Sequence, residues 1–167
     1  MKSGVSESLL RKYLAADSLP DTGKHARSEY SVPPELDTPV QENGDVQWLN
    51  GSATDALAFK SSWVKDQLHV EPHYLALMRV RGDAMEPTVW KGDAVLLNVR
   101  HPKFTDDGLY FLKQFNSLAV KRVQHSLNGE LIFKSDNTAC SDERLSATDA
   151  ASVHIAGRVV WTGRHVP

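Results

Sequence analysis

The chain has 167 residues, 41% of them apolar and 24% charged, with a formal charge of −2. This is globular composition, long enough to bury a sizeable core, and it excludes a nucleic-acid binder that is basic over its whole surface while leaving room for a local basic face. A single cysteine, Cys140, excludes an intrachain disulfide and fits a reducing cytosol.

The opening residues show no signal-peptide pattern, and no apolar run is long enough to span a bilayer, so a cytoplasmic protein without a membrane partner is expected. Three zones follow in chain order. In the first, residues 1–22, Leu9, Leu10, Tyr13 and Leu14 fall on one face of a short helix. Ser6 can cap its start by accepting from an orphan N–H, and Pro20 stops it. The second zone, residues 23–54, reads as linker, with Pro33, Pro34, Pro39 and several acidic residues. Its exception is the alternation of Val46 and Trp48, which predicts a short strand docked on the main domain.

The third zone, residues 55–167, opens with a short helix or turn suggested by Ala56, Phe59 and Trp63. Strand-like runs then succeed one another: Leu75 to Val80, Ala94 to Val99, Leu109 to Lys113, Leu118 to Gln124, Glu130 to Lys134 and Val153 to Trp161. Turn residues separate them, among them Lys91-Gly92-Asp93, Asp106-Asp107-Gly108, Asn116-Ser117 and Asn128-Gly129. Asn-Gly between strand-like runs is a hairpin signal, because both residues tolerate positive φ. Many short strands at this spacing predict a mainly β, barrel-like or folded-ribbon domain, preceded by a short α-helical amino-terminal element.

The chemistry-bearing residues lie in Val80-Arg81-Gly82-Asp83-Ala84-Met85-Glu86-Pro87-Thr88, in Lys91-Gly92-Asp93-Ala94-Val95 and in Ala119-Val120-Lys121-Arg122-Val123. In this order they resemble the LexA-like and phage-repressor serine peptidases, the S24 family. That family carries Gly-Asp-Ser-Met-x-Pro, then Gly-Asp, then a lysine within a Val-Lys-Arg strand. Ser135-Asp136-Asn137 and Ile155-Ala156-Gly157-Arg158-Val159-Val160 are also similar to it, so the likeness runs from about Phe59 to Trp161. It implies a LexA-like folded-ribbon (β-clip) domain in which Gly82, Asp83, Met85, Pro87, Gly92 and Asp93 support a Ser–Lys dyad. A serine hydroxyl is a weak nucleophile until a base takes its proton, and a lysine becomes that base where burial disfavours its ammonium. Lys121 stands at the base position, and the apolar Leu118-Ala119-Val120 leading to it suits burial. Ala84, at the nucleophile position, lies 37 residues before Lys121, close to the family's dyad separation.

A methyl group has neither lone pair nor proton to give, so no peptidase activity is expected. The self-cleaving members cut an Ala-Gly or Cys-Gly bond in the linker ahead of the serine, near position 49 here. This chain has Asn50-Gly51 there, and its Ala156-Gly157 falls in the last predicted strand. Two explanations stand: natural loss of cleavage, which accounts for both departures, or an engineered Ser→Ala at position 84, which accounts for one.

Gly4-Val5-Ser6 and the helix after it resemble the turn and recognition helix of a helix-turn-helix repressor. That likeness implies Ser6, Glu7 and Ser8 near base edges and Arg11 and Lys12 near phosphates. The alternative is a small amphipathic helix that packs on a partner. The helix-turn-helix reads as partial, since the chain starts at the turn. Together these residues predict a prophage-type transcriptional repressor whose β domain self-associates. Its partners would be operator DNA, a homodimer or higher oligomer, and an antirepressor protein or RecA-type co-protease. The rivals are a self-cleaving LexA-like peptidase repressor with serine at position 84, and a mutagenesis-polymerase accessory protein of the same fold. No cofactor is implied. No metal site is expected either, because Pro72 breaks the helix that could pair His69 with His73. Cys140 reads as a free surface thiol, Trp90, Trp161, Leu97 and Phe111 as core or dimer contacts, and Asp83 and Asp93 as turn residues.

Overall fold

The structure, a computed structural model, describes residues 29–42, 45–50, 57–100, 103–114 and 117–166. Its main body is one seven-stranded sheet. The strands are β5 (Leu75–Arg79), β6 (Ala94–Asn98), β7 (Gly108–Gln114), β8 (Ser117–His125), β9 (Leu131–Lys134), β10 (Glu143–Leu145) and β11 (His154–Gly163), in the spatial order β10-β9-β8-β7-β11-β6-β5. Neighbours run antiparallel throughout. The protein is therefore mainly β, and each of the six strand-like runs of the sequence forms a strand within a residue or two of its predicted bounds.

Strands β5 and β6 read as unbroken apolar runs because both of their faces are covered. Ala76, Met78, Val95 and Leu97 join Phe111 and Val120 in one core cluster. The alternate residues Leu75, Leu77, Ala94 and Leu96 join a second. A third, around Tyr110, Leu112, Val123, Leu131 and Phe133, lies under the β7–β9 end. Between β6 and β7 the last strand, β11, is shared. Its first half pairs with β7 and its second with β6, with a register shift in each half. Gly157 belongs at this crossing, since an added Cβ would stand 2.8 Å from the Asn98 carbonyl oxygen.

Helix α1 (Ser61–Leu68) follows the short strand β4 (Phe59–Lys60), which pairs with β1 (Tyr30–Ser31). Val64 on its inner face is fully buried in the second cluster, a burial that contributes about 1.5–3 kcal/mol. Phe59 stacks on Trp63 and meets Trp161 edge-on. His69 caps the helix in the left-handed conformation (φ 54°), and His73 lies beyond it on a 3-10 turn, Pro72–Tyr74. A short helix α2 (Ala147–Ala150), capped by Ser146, precedes β11.

The linker-like zone differs from its expectation. It holds a hairpin, β2 (Leu36–Glu42) with β3 (Asp45–Asn50). The Val46–Trp48 strand is present, but its partner is β2. The link to the main sheet comes from just before β2, where Pro34 accepts from the Leu77 N–H (2.9 Å) and Glu35 bridges Leu77. Prolines suggested a linker here, yet proline is compatible with an edge strand, where an N–H need not pair. Asn128-Gly129 does close a hairpin, between β8 and β9, though by a different turn. Only Gly129 has positive φ (86°), and the Ser126 N–H donates to Glu130 across a three-residue loop. That is a type I turn closed by a left-handed glycine, not the two-residue turn that Asn-Gly alone suggests. No helix of the described residues is long and apolar enough to cross a membrane.

Candidate functional site

Residues 80–93 form the connection between β5 and β6, and both glycine-aspartate motifs fall within it. Two hydrogen bonds close its base: Val80 N–H to the Asp93 carbonyl and Gly92 N–H to the Val80 carbonyl, each 2.9 Å. Gly82 and Gly92 turn the chain with φ near 90°, where a side chain would be strained. Within the loop, Glu86 N–H donates to Asp83 and Val89 N–H to Met85. Met85 and Val89 bury their side chains in the first core cluster and so anchor the loop. Ala84 is half-buried and Asp83 exposed.

Asp93 does more than turn the chain. It is 3% exposed and accepts from the Trp90 N–H (2.9 Å) and from the Arg164 guanidinium in a bidentate pair (2.8 and 2.7 Å). The Arg164 guanidinium holds its carboxyl below the ordinary carboxylate range, against the desolvation that pushes the other way. Arg164 also lies over the Trp90 ring at 5.1 Å. Trp90 itself is exposed and outside the core, whereas Leu97 and Phe111 are core residues and Trp161 is half-buried.

Lys121 lies mid-strand on β8, opposite Tyr110 of β7, and is 8% exposed. Its Nζ donates to the Ser135 hydroxyl at 2.8 Å. The segment Ser135–Asn137, just past β9, then reaches the motif loop. Asn137 N–H donates to the Ala84 carbonyl (3.0 Å) and its side-chain amide to the Asp83 carbonyl (3.2 Å). Asp136 receives Arg122 of β8 through two hydrogen bonds (2.8 and 2.6 Å) and the Thr88 hydroxyl from the loop. The Arg122 guanidinium, with lesser help from Thr88, keeps the Asp136 carboxyl below its ordinary range. One short segment thus ties Ala84 and Lys121 to the same place.

Gly82, Asp83, Ala84, Met85, Pro87, Gly92 and Asp93 therefore gather in one loop, with Lys121 joined to it through Ser135–Asn137. Asn50 ends β3 opposite Leu36, and Gly51 lies outside the described residues. Ser6, Glu7, Ser8, Arg11 and Lys12 also lie outside them. Among the described residues no group of three His, Cys, Asp or Glu side chains is placed to hold a metal ion. Cys140, half-buried, is a free thiol whose N–H donates to Asn137. Sequence reasoning gave Ser135, Asp136 and Thr88 no role at the site. All three stand within the motif segments of the chain, whereas nothing in the chain marks Arg164 as a partner.

A family model described as Peptidase S24-like matches residues 43–160. A 26 kDa repressor protein of Escherichia phage HK022 is 32% identical over 84 residues, which take in 50% of this chain and 35% of that protein. The chain thus spans little more than a third of this relative's own length.

Proposed function

Because the chain belongs to the Peptidase S24-like family, we propose that it serves a prophage-type transcriptional repressor as a self-associating domain that does not cleave itself. Ala84 carries this reading: it occupies the nucleophile position of a loop otherwise complete in its supporting residues. The similarity to a phage repressor protein supports the regulatory role. In this reading residues 1–22 belong to a DNA-reading helix-turn-helix, residues 23–54 to the former cleavage region, and residues 55–167 to the association domain. Two recognition elements read paired operator half-sites only when their domains associate, so the partners are operator DNA and at least one further copy of the chain. Release from DNA then calls for an antirepressor protein, or a RecA-type co-protease where cleavage survives.

Incubation at alkaline pH tests the missing activity. The chain as it stands remains one band on a denaturing gel, and spontaneous cleavage would overturn the proposal. The second reading is a self-cleaving peptidase repressor whose serine was replaced at position 84. It predicts that Ala84→Ser restores efficient cleavage near Asn50-Gly51. Sedimentation equilibrium tests association: a dimer or larger species at micromolar concentration is expected, and a monomer throughout would remove the association role.

A further inference from the structure

We propose that Ser135 and Lys121 form a Ser–Lys pair in their own right, in which the Ser135 hydroxyl accepts an acyl or phosphonyl group from an activated electrophile. A serine becomes a nucleophile when a base lies within hydrogen-bond reach and the two are held in place. Both conditions are met away from position 84. Lys121 Nζ lies 2.8 Å from Ser135 Oγ. The lysine is fixed mid-sheet and buried, and the serine is half-buried, within reach of solvent. The serine's own segment is pinned on both sides. Its N–H donates to Asp142 (3.3 Å), and the next two residues are tied to Arg122, Thr88 and Ala84.

The same geometry limits the chemistry. The Ser135 N–H is engaged by a carboxylate, so it is not free to stabilise an oxyanion. Peptide-bond cleavage therefore does not follow, and the substrate class is restricted to electrophiles with a good leaving group. With a fluorophosphonate, the Oγ–P bond forms, the P–F bond breaks and fluoride leaves. The hydroxyl proton passes to Lys121, which must start as the neutral amine and ends as the ammonium.

Ser152 supplies an internal comparison, because it is exposed and its hydroxyl donates to the Asp149 carbonyl, with no base in contact. The full chain is treated with a fluorophosphonate probe, digested, and each serine's adduct followed by mass spectrometry. Ser135 is expected to be labelled roughly 100-fold faster than Ser152, the lower range of general-base assistance. Lys121→Met brings it down to the Ser152 rate, and Ser135→Ala abolishes that adduct with the near-ultraviolet circular dichroism unchanged. Absence of a Ser135 adduct, a rate equal to that of Ser152, or full labelling in Lys121→Met overturns the proposal. Should Lys121→Met fail to fold, the Ser135-to-Ser152 ratio in the unmodified chain still decides it.

Discussion

Asp93 is a charge taken out of water, and it is tolerated because Arg164 meets it with two hydrogen bonds while keeping its own outer side near solvent. Hydrogen bonds to charged groups contribute about 1.5–3 kcal/mol, and the side-chain exposure of Arg164, 45%, reduces that through screening. Asp93→Asn is therefore expected to destabilise the fold by about 1–2 kcal/mol in urea unfolding. The pH dependence follows from the same pair. The folded carboxyls of Asp93 and Asp136 titrate below their unfolded value, near ~3.9. Their stabilisation is fully present above that value and is lost as pH falls through the lower folded one. Acid unfolding followed by circular dichroism should thus show stability falling below about pH 4, less steeply in Asp93→Asn. Gly157 acts through space. Its replacement by alanine sets a methyl against the Asn98 backbone, which cannot swing away as a side chain would, and a loss of about 1–3 kcal/mol in the same urea assay is expected. Gly82 and Gly92 could be read from the chain as turn residues. The partner of Asp93 could not, being 71 positions away.

The β5–β6 connection is held at three levels: backbone bonds at its base, Met85 and Val89 in the core, and Asn137 and Asp136 across its top. The last of these can be removed without touching the core. Asn137→Ala deletes the side-chain bond to Asp83, worth about 1 kcal/mol, so hydrogen exchange at the Glu86 and Val89 amides should quicken about fivefold. Exchange in β6 should stay unchanged; equal acceleration there would mean that the substitution acts on the whole sheet. Strands β5 to β9 were legible because their apolar runs are bounded by turn residues, and a turn residue's preference is local. The β2–β3 hairpin was not, since its prolines carry the same local signal in a linker and in an edge strand.

Across the molecule, the three core clusters are joined by β11, which passes from β7 to β6 along its length. Leu96, fully buried in the cluster that also seats α1, should cost about 2–5 kcal/mol when cut to alanine. A red shift of tryptophan fluorescence from Trp63 should accompany that loss. The sequence by itself determined the mainly β character, the order of the strands along the chain and the residues of the motif loop, because periodicity and turn chemistry act over a few residues. Family resemblance added the expectation that two positions, Ala84 and Lys121, bear on activity. Only the tertiary structure decided that the last strand enters the sheet between β6 and β7, that Arg164 closes on Asp93, and that Lys121 bonds to Ser135. Such pairings join residues far apart in the chain, where closure of the whole sheet, and no local preference, selects the partner.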